Sequence, residues 1–220
     1  MTLPGCDDGC CDNLGTYVSV FGGLATIHQL ENELNIPIVL PGDPDTEFRS
    51  FSGDNAEVYG IAIGKVVHQR ARMEMDFVYQ DDFDLDFYRV EQFDEGVLRN
   101  STLTPVVGEI ETYSLMGNFL FDLSPRCVGS ANLYGGGGLG IMDINGSASG
   151  GGVDYEIDDT AFAYQLIAGV NYAAKSRMDL YTEYKFIGSS VDVFDATNVI
   201  SLGSFDFETN TVVFGVRIRR

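Results

Sequence analysis

Arg70-Ala-Arg-Met-Glu-Met-Asp-Phe-Val-Tyr79 is the stretch on which the fold turns. Successive strand side chains point to opposite faces. One face of this segment therefore carries Arg72, Glu74, Asp76 and Val78, and the other carries Met73, Met75, Phe77 and Tyr79. A second segment, Arg177-Met-Asp-Leu-Tyr-Thr-Glu-Tyr-Lys-Phe186, repeats the pattern. Asp179, Tyr181, Glu183 and Lys185 share one of its faces, opposite Met178, Leu180, Thr182, Tyr184 and Phe186. Charges of both signs on one face and apolar groups on the other suit a barrel wall with a polar lumen and an apolar outside. That is the pattern of a transmembrane β-barrel.

Working outward from these two segments, the chain divides into eight predicted strands. Their limits, to within a few residues, are 15–27, 56–67, 70–80, 109–122, 129–143, 161–174, 177–188 and 207–219. Clusters of Gly, Asp, Asn and Ser separate them, as turn chemistry requires. The connections alternate long and short. His68-Gln69, Leu123 to about Val128, and Lys175-Ser176 are short, whereas 28–54, 81–108, 144–159 and 189–206 read as long loops. An even strand number with short turns at one end and long loops at the other is the layout of outer-membrane barrels.

At 220 residues and 45% apolar composition the chain suits a single barrel. No run of 18 or more apolar residues is present, which excludes a transmembrane helix. Met1-Thr-Leu-Pro-Gly-Cys6 has neither a basic n-region nor an apolar h-region, so an exported protein would be represented here by a mature form or by a trimmed one with a starting Met. The net charge is −20, and its distribution is uneven. The long loops hold most of the 33 acidic residues but only Arg49, Arg89 and Arg99 of the 13 Lys and Arg. Lys65, Arg70, Arg72, Arg126, Lys175, Arg177, Arg217, Arg219 and Arg220 gather instead around short turns and strand ends. The expected object has one acidic end and one basic end. Nucleic acid is a disfavoured partner, since the phosphate backbone requires an extended basic surface. The acidic loops are a solvated surface on the simpler reading, and divalent cations bridging their carboxylates are the sharper one.

An eight-stranded barrel has room inside only for side chains. Inward Arg72, Lys185 and Arg217 then need carboxylate partners such as Glu74, Asp76, Asp179 and Glu183, because an unpaired buried charge is costly. These seven residues form the expected lumen ion-pair network. The glycines of Tyr134-Gly-Gly-Gly-Gly-Leu-Gly140 are expected to make space beside the long charged side chains. A phosphate-binding loop is the competing reading of that run, but no Lys-Ser/Thr follows it and no helix is signalled.

In segment order the chain resembles the small outer-membrane β-barrel proteins, namely the OmpA/OmpX-type transmembrane domain and the opacity or surface-antigen porin-like proteins. The resemblance runs through Gly15-Thr-Tyr-Val-Ser-Val-Phe-Gly-Gly23, Tyr59-Gly-Ile-Ala-Ile-Gly64, Thr112-Tyr-Ser-Leu-Met-Gly-Asn-Phe-Leu-Phe-Asp122, Tyr164-Gln-Leu-Ile-Ala-Gly-Val-Asn-Tyr172 and Val213-Phe-Gly-Val-Arg-Ile-Arg219. It covers about residues 15–220. It implies a structural, adhesive or porin-like surface protein with no shared catalytic set. Such barrels commonly end in an aromatic residue, and Arg220 departs from that pattern.

Cys6, Cys10 and Cys11 crowd the N-terminus, while Cys127 lies in the turn after the fourth predicted strand. Both places fall at the periplasmic end of the expected topology, where disulfides can form. A bridge from Cys127 to one of the three is the expectation. A zinc site competes poorly, because C-x3-C-C without a nearby His is unsuitable ligand spacing. The two histidines, His28 and His68, fall at opposite ends and cannot act together, and no nucleophile motif accompanies either.

The reading is thus an all-β chain: residues 1–14 as a short Cys-containing segment, and 15–220 as an eight-stranded antiparallel up-and-down transmembrane barrel in an outer membrane. Its expected role is structural or surface-interacting and not enzymatic, with no cofactor. Membrane lipid, an extracellular partner reached through loops 28–54 and 81–108, and divalent cations at the acidic loops are the expected partners. The alternative is a soluble lipocalin-like or fatty-acid-binding-like barrel, which shows the same alternation with its faces exchanged and holds a lipophilic ligand.

Overall fold

The computed structural model describes residues 15–27, 46–53, 55–68, 70–91, 104–123, 131–150, 153–175, 177–194 and 201–220. Among them are nine strands and no helix: β1 (Thr16–Ile27), β2 (Thr46–Gly53), β3 (Ala56–His68), β4 (Ala71–Glu91), β5 (Thr104–Asp122), β6 (Ala131–Gly150), β7 (Val153–Lys175), β8 (Met178–Phe194) and β9 (Ser201–Arg219). Val58 lies opposite Gln80 on β4 and Gly53 lies opposite Leu85, an equal step along both chains. β2 therefore prolongs β3 in the same register, and the wall has eight strands. Each pairs antiparallel with its chain neighbour, β4 with β5 included, and β9 pairs back onto β1. The result is a closed up-and-down barrel without a free sheet edge around the wall.

At the short-turn end the strands stop close to where turn chemistry predicts: β3 hands over to β4 after His68, and β7 to β8 after Lys175. At the other end they run on. β4 continues to Glu91, β5 begins at Thr104, β6 reaches Gly150 and β7 begins at Val153. Much of what reads as long loop in 81–108, 144–159 and 189–206 is projecting β-hairpin. In β4 the alternation itself runs on through Asp82-Phe-Asp-Leu-Asp-Phe87, and it is the density of Asp, Gly, Ser and Asn in these segments that reads as loop. The register also shifts between Gln80 and Phe83, which fits a β-bulge.

The two faces of the wall are sharply different. Met73, Met75 and Phe77 are exposed on β4, as are Phe162, Tyr164, Leu166 and Tyr172 on β7 and Val212, Phe214 and Ile218 on β9. Arg72, Glu74, Asp76, Asp179, Glu183, Lys185 and Arg217 are all buried inside. A soluble carrier requires the reverse. An apolar exterior of this extent is far beyond what a protein surface in water carries.

Candidate functional site

The interior has two halves. In the half nearer the short turns, inward positions of β4, β5, β8 and β9 bring charges together. Lys185 Nζ lies 2.6 Å from Asp76 Oδ2 and 3.6 Å from Glu183 Oε2. Arg217 Nη2 lies 3.7 Å from Glu74 Oε2 and 3.8 Å from Glu183 Oε1. Glu183 also accepts a 2.6 Å hydrogen bond from the Tyr134 hydroxyl, and Arg217 donates to Asn171 at 3.2 Å. Gln165 donates to Asp76 at 3.4 Å. Five of the seven sequence-predicted residues (Glu74, Asp76, Glu183, Lys185 and Arg217) thus meet in one connected set. The other two find different partners: Arg72 lies 3.5 Å from Asp122, and Asp179 accepts from Arg219 at 2.7 Å.

Aromatic rings form a second layer of support. Tyr17, Phe21, Tyr134 and Tyr181 stand directly opposite Gly64, Gly60, Gly169 and Gly215 across their strand pairs. A Cβ at any of these glycines would collide with the facing ring. The missing side chain lets the ring lie flat across the neighbouring strand, the same device by which aromatics cover glycines in designed sheets. The flattened rings then face the cations. The Arg217 guanidinium sits 4.8 Å from the Tyr17 ring centre and 4.6 Å from that of Tyr181, Arg72 sits 4.1 Å from Tyr134, and Lys185 sits 4.5 Å from Phe21. Such contacts are strongest away from water.

The glycine run of β6 lies against β5. Added Cβ atoms at Gly136, Gly138 and Gly140 would strike the backbone of β5, with Leu120, Asn118 and Met116 beside them. The nearest atoms at all three positions belong to β5. The run allows close approach of β5 and β6.

The half nearer the long loops is mainly apolar, with Ser189, Thr209 and Thr211 buried among its hydrophobic side chains. Phe21, Ala25, Val58, Val78, Phe83, Ile110, Met142, Ile144, Ile187, Phe207 and Val213 belong to one buried cluster. Phe83 and Phe207 meet edge to face, with ring centres 6.2 Å apart. Between the two halves, Thr112 donates to Gln80 at 3.0 Å.

The rims differ in charge. At the short-turn end Lys65, Arg70, Lys175, Arg177 and Arg220 are exposed, and no exposed acid accompanies them among the described residues. Arg72 and Arg217 have turned inward, and Arg126 lies outside the described residues. At the other end the wall carries Glu57, Asp81, Glu109, Glu111, Asp143, Asp158 and Glu208, each exposed or partly so. Tyrosines mark the lower border of that acidic belt. Tyr79 donates to Asp81 at 2.9 Å and stacks on Tyr113 at 4.9 Å, Tyr59 donates to Glu57, and Tyr184 donates to Asn210. Amphipathic rings at a membrane–water boundary adopt this placement.

Residues 1–14, His28 and all four cysteines lie outside the described residues, and so does the expected disulfide. His68 is exposed at the end of β3. Among the described residues, no three His, Cys, Asp or Glu converge as metal ligands.

No family model matches the chain, and no curated protein matches it in sequence. Solved structures do match its fold. Neisserial surface protein A is 14% identical with a TM-score of 0.52, over 94% of this chain and 97% of that one. Ail, the attachment invasion locus protein of Yersinia pestis, is 14% identical with a TM-score of 0.52, over 94% and 99%. The fold is that of the small outer-membrane β-barrels. At this identity the likeness concerns architecture alone, and the role must come from the residues described above.

Proposed function

We propose that this chain is an outer-membrane β-barrel with a structural or surface-interaction role and no catalysis. One observation carries the reading: a continuous apolar exterior is bounded by an acidic rim at the hairpin end and a basic rim at the turn end, around an interior filled from both halves. The charged groups inside face one another, which favours holding the wall together over acid–base work on a substrate. The filled interior argues for a plug and not a wide pore. The acidic hairpins and the segments 28–54 and 81–108 would meet the outside, where their carboxylates favour basic partners or divalent cations. Membrane placement follows from the same exterior, which matches the lipid-facing band of a barrel, and the fold shared with outer-membrane barrels supports an outer membrane.

Gel mobility of detergent-extracted protein, boiled against unboiled, tests this reading. Faster migration without boiling is the expected result. A single band at both temperatures, from protein soluble without detergent, would overturn it.

A further inference from the structure

The lipid-facing wall is not smooth. A trench of about 980 Å³ is sunk into it across β1, β3, β4, β5, β6 and β7. Its course follows the strand register. Thr16, Lys65, Met73, Phe119, Gly137 and Leu166 are successive partners across those strands, forming one row on the outer face. Ile63, Met75, Gly117, Leu139 and Tyr164 form the adjacent row. Each row is interrupted by one glycine, Gly137 in the first and Gly117 in the second. Where the wall lacks those two side chains it is indented.

The trench also has a direction. Lys65 lies close to the short-turn end of β3, whereas Leu166 lies well up β7, far from that strand's turn at Lys175. A row perpendicular to tilted strands climbs the wall. Five interstrand steps span about 24 Å. At the usual strand tilt the climb is about 15 Å, half the hydrocarbon thickness of a bilayer. Its foot is basic: Lys65 faces outward just below Ile63, and the Arg220 amide bonds the Thr16 carbonyl, which places exposed Arg220 beside the same foot.

We propose that this trench is a binding site for one anionic phospholipid of the leaflet at the short-turn end. Its phosphate sits at Lys65 and Arg220, and one acyl chain runs up between Met73, Met75, Phe119 and Leu139. Charge complementarity selects the headgroup, and the apolar lining with its glycine gaps receives the chain. The proposal rests on the outer-membrane reading and adds to it a defined lipid position.

Native mass spectrometry of the full chain provides the test, using micelles doped with equal amounts of dioleoyl-phosphatidylglycerol and dioleoyl-phosphatidylcholine. The wild type should retain phosphatidylglycerol over phosphatidylcholine by about five-fold for each basic residue engaged. Lys65→Glu should bring the ratio to about one or below, while Lys175→Glu, on the turn between β7 and β8, should leave it unchanged. Gly117→Leu fills the trench, and its Cβ makes an ordinary contact with the Leu139 carbonyl at 3.7 Å. That variant should lower retention of both lipids several-fold while its unboiled band still migrates fast. Equal retention of the two lipids by the wild type would overturn the proposal. So would a Lys175→Glu loss matching that of Lys65→Glu, or unchanged retention in Gly117→Leu. A heat-shifted band accompanied by any of these results sinks the trench alone, whereas loss of the shift in the wild type sinks the membrane reading.

Discussion

The two halves of the interior solve the same packing problem with opposite chemistry. Near the short turns the lumen is filled by long charged side chains, with Lys185 and Arg217 held between Glu74, Asp76 and Glu183 and braced on aromatic rings. Near the hairpins it is filled by Phe83, Phe207, Ile144, Ile187 and their neighbours. The apolar half derives its stability from contact and exclusion of water. The charged half can match it only if nearly every charge is compensated, because desolvation otherwise outweighs attraction. The difference teaches that the polar lumen is the half more vulnerable to loss of one partner, and the apolar half the one more vulnerable to loss of volume.

The largest effect should come from breaking that compensation. Glu74→Ala with Asp76→Ala removes the 2.6 Å partner of Lys185 and a partner of Arg217. Each buried pair broken from one side costs about 3–5 kcal/mol. Urea unfolding from lipid vesicles should show a loss of at least that size, with the native band still heat-shifted. Adding Lys185→Met should restore much of it, since a cation without its carboxylate is the costly element. An unchanged transition in the first variant would mean these charges do not hold the wall. In the apolar half, Phe207→Ala should cost about 3 kcal/mol through the cavity beside Phe83. Equal sensitivity of the apolar half to a polar isostere and to a cavity would erase the contrast.

These expectations also show what could be read from the chain beforehand. The alternation in 70–79 and 177–186 puts Arg72, Glu74, Asp76, Asp179, Glu183 and Lys185 on one face of each strand, the face that is buried among the described residues, because a strand's period is local information. Partnership is not local. Asp122 reaches Arg72 and Arg219 reaches Asp179 only through the registers of β4 with β5 and of β8 with β9. No single strand encodes those registers. The apolar half was hidden for another reason. The register shift beyond Gln80 reverses the phase, so Phe83 points inward although strict alternation from Arg72, Glu74 and Asp76 would send it outward. The Tyr and Phe rings were visible as residues, yet their role depends on a glycine directly across the ladder. That signal appears once strands are paired, and could have been sought by matching inward aromatics to glycines on adjacent predicted strands.

Smaller effects sharpen the contrast at its edges. Gly64→Ala places a methyl group against the Tyr17 ring, which must lift away from Arg217. Overpacking of this kind costs about 1–3 kcal/mol, and the charged half should report it by a lowered unfolding midpoint. The smallest change expected is at the acidic rim. Tyr79→Phe deletes the hydroxyl that donates to Asp81 at 2.9 Å but keeps the ring stacked on Tyr113 at 4.9 Å. A hydrogen bond at a wet boundary contributes about 1 kcal/mol or less, because water replaces it. Tyr79→Ala, by contrast, removes the ring from the boundary and should cost clearly more. If the two variants unfold alike, the hydroxyl and not the ring anchors the wall there, and the border between lipid and acidic rim is held by polar contacts.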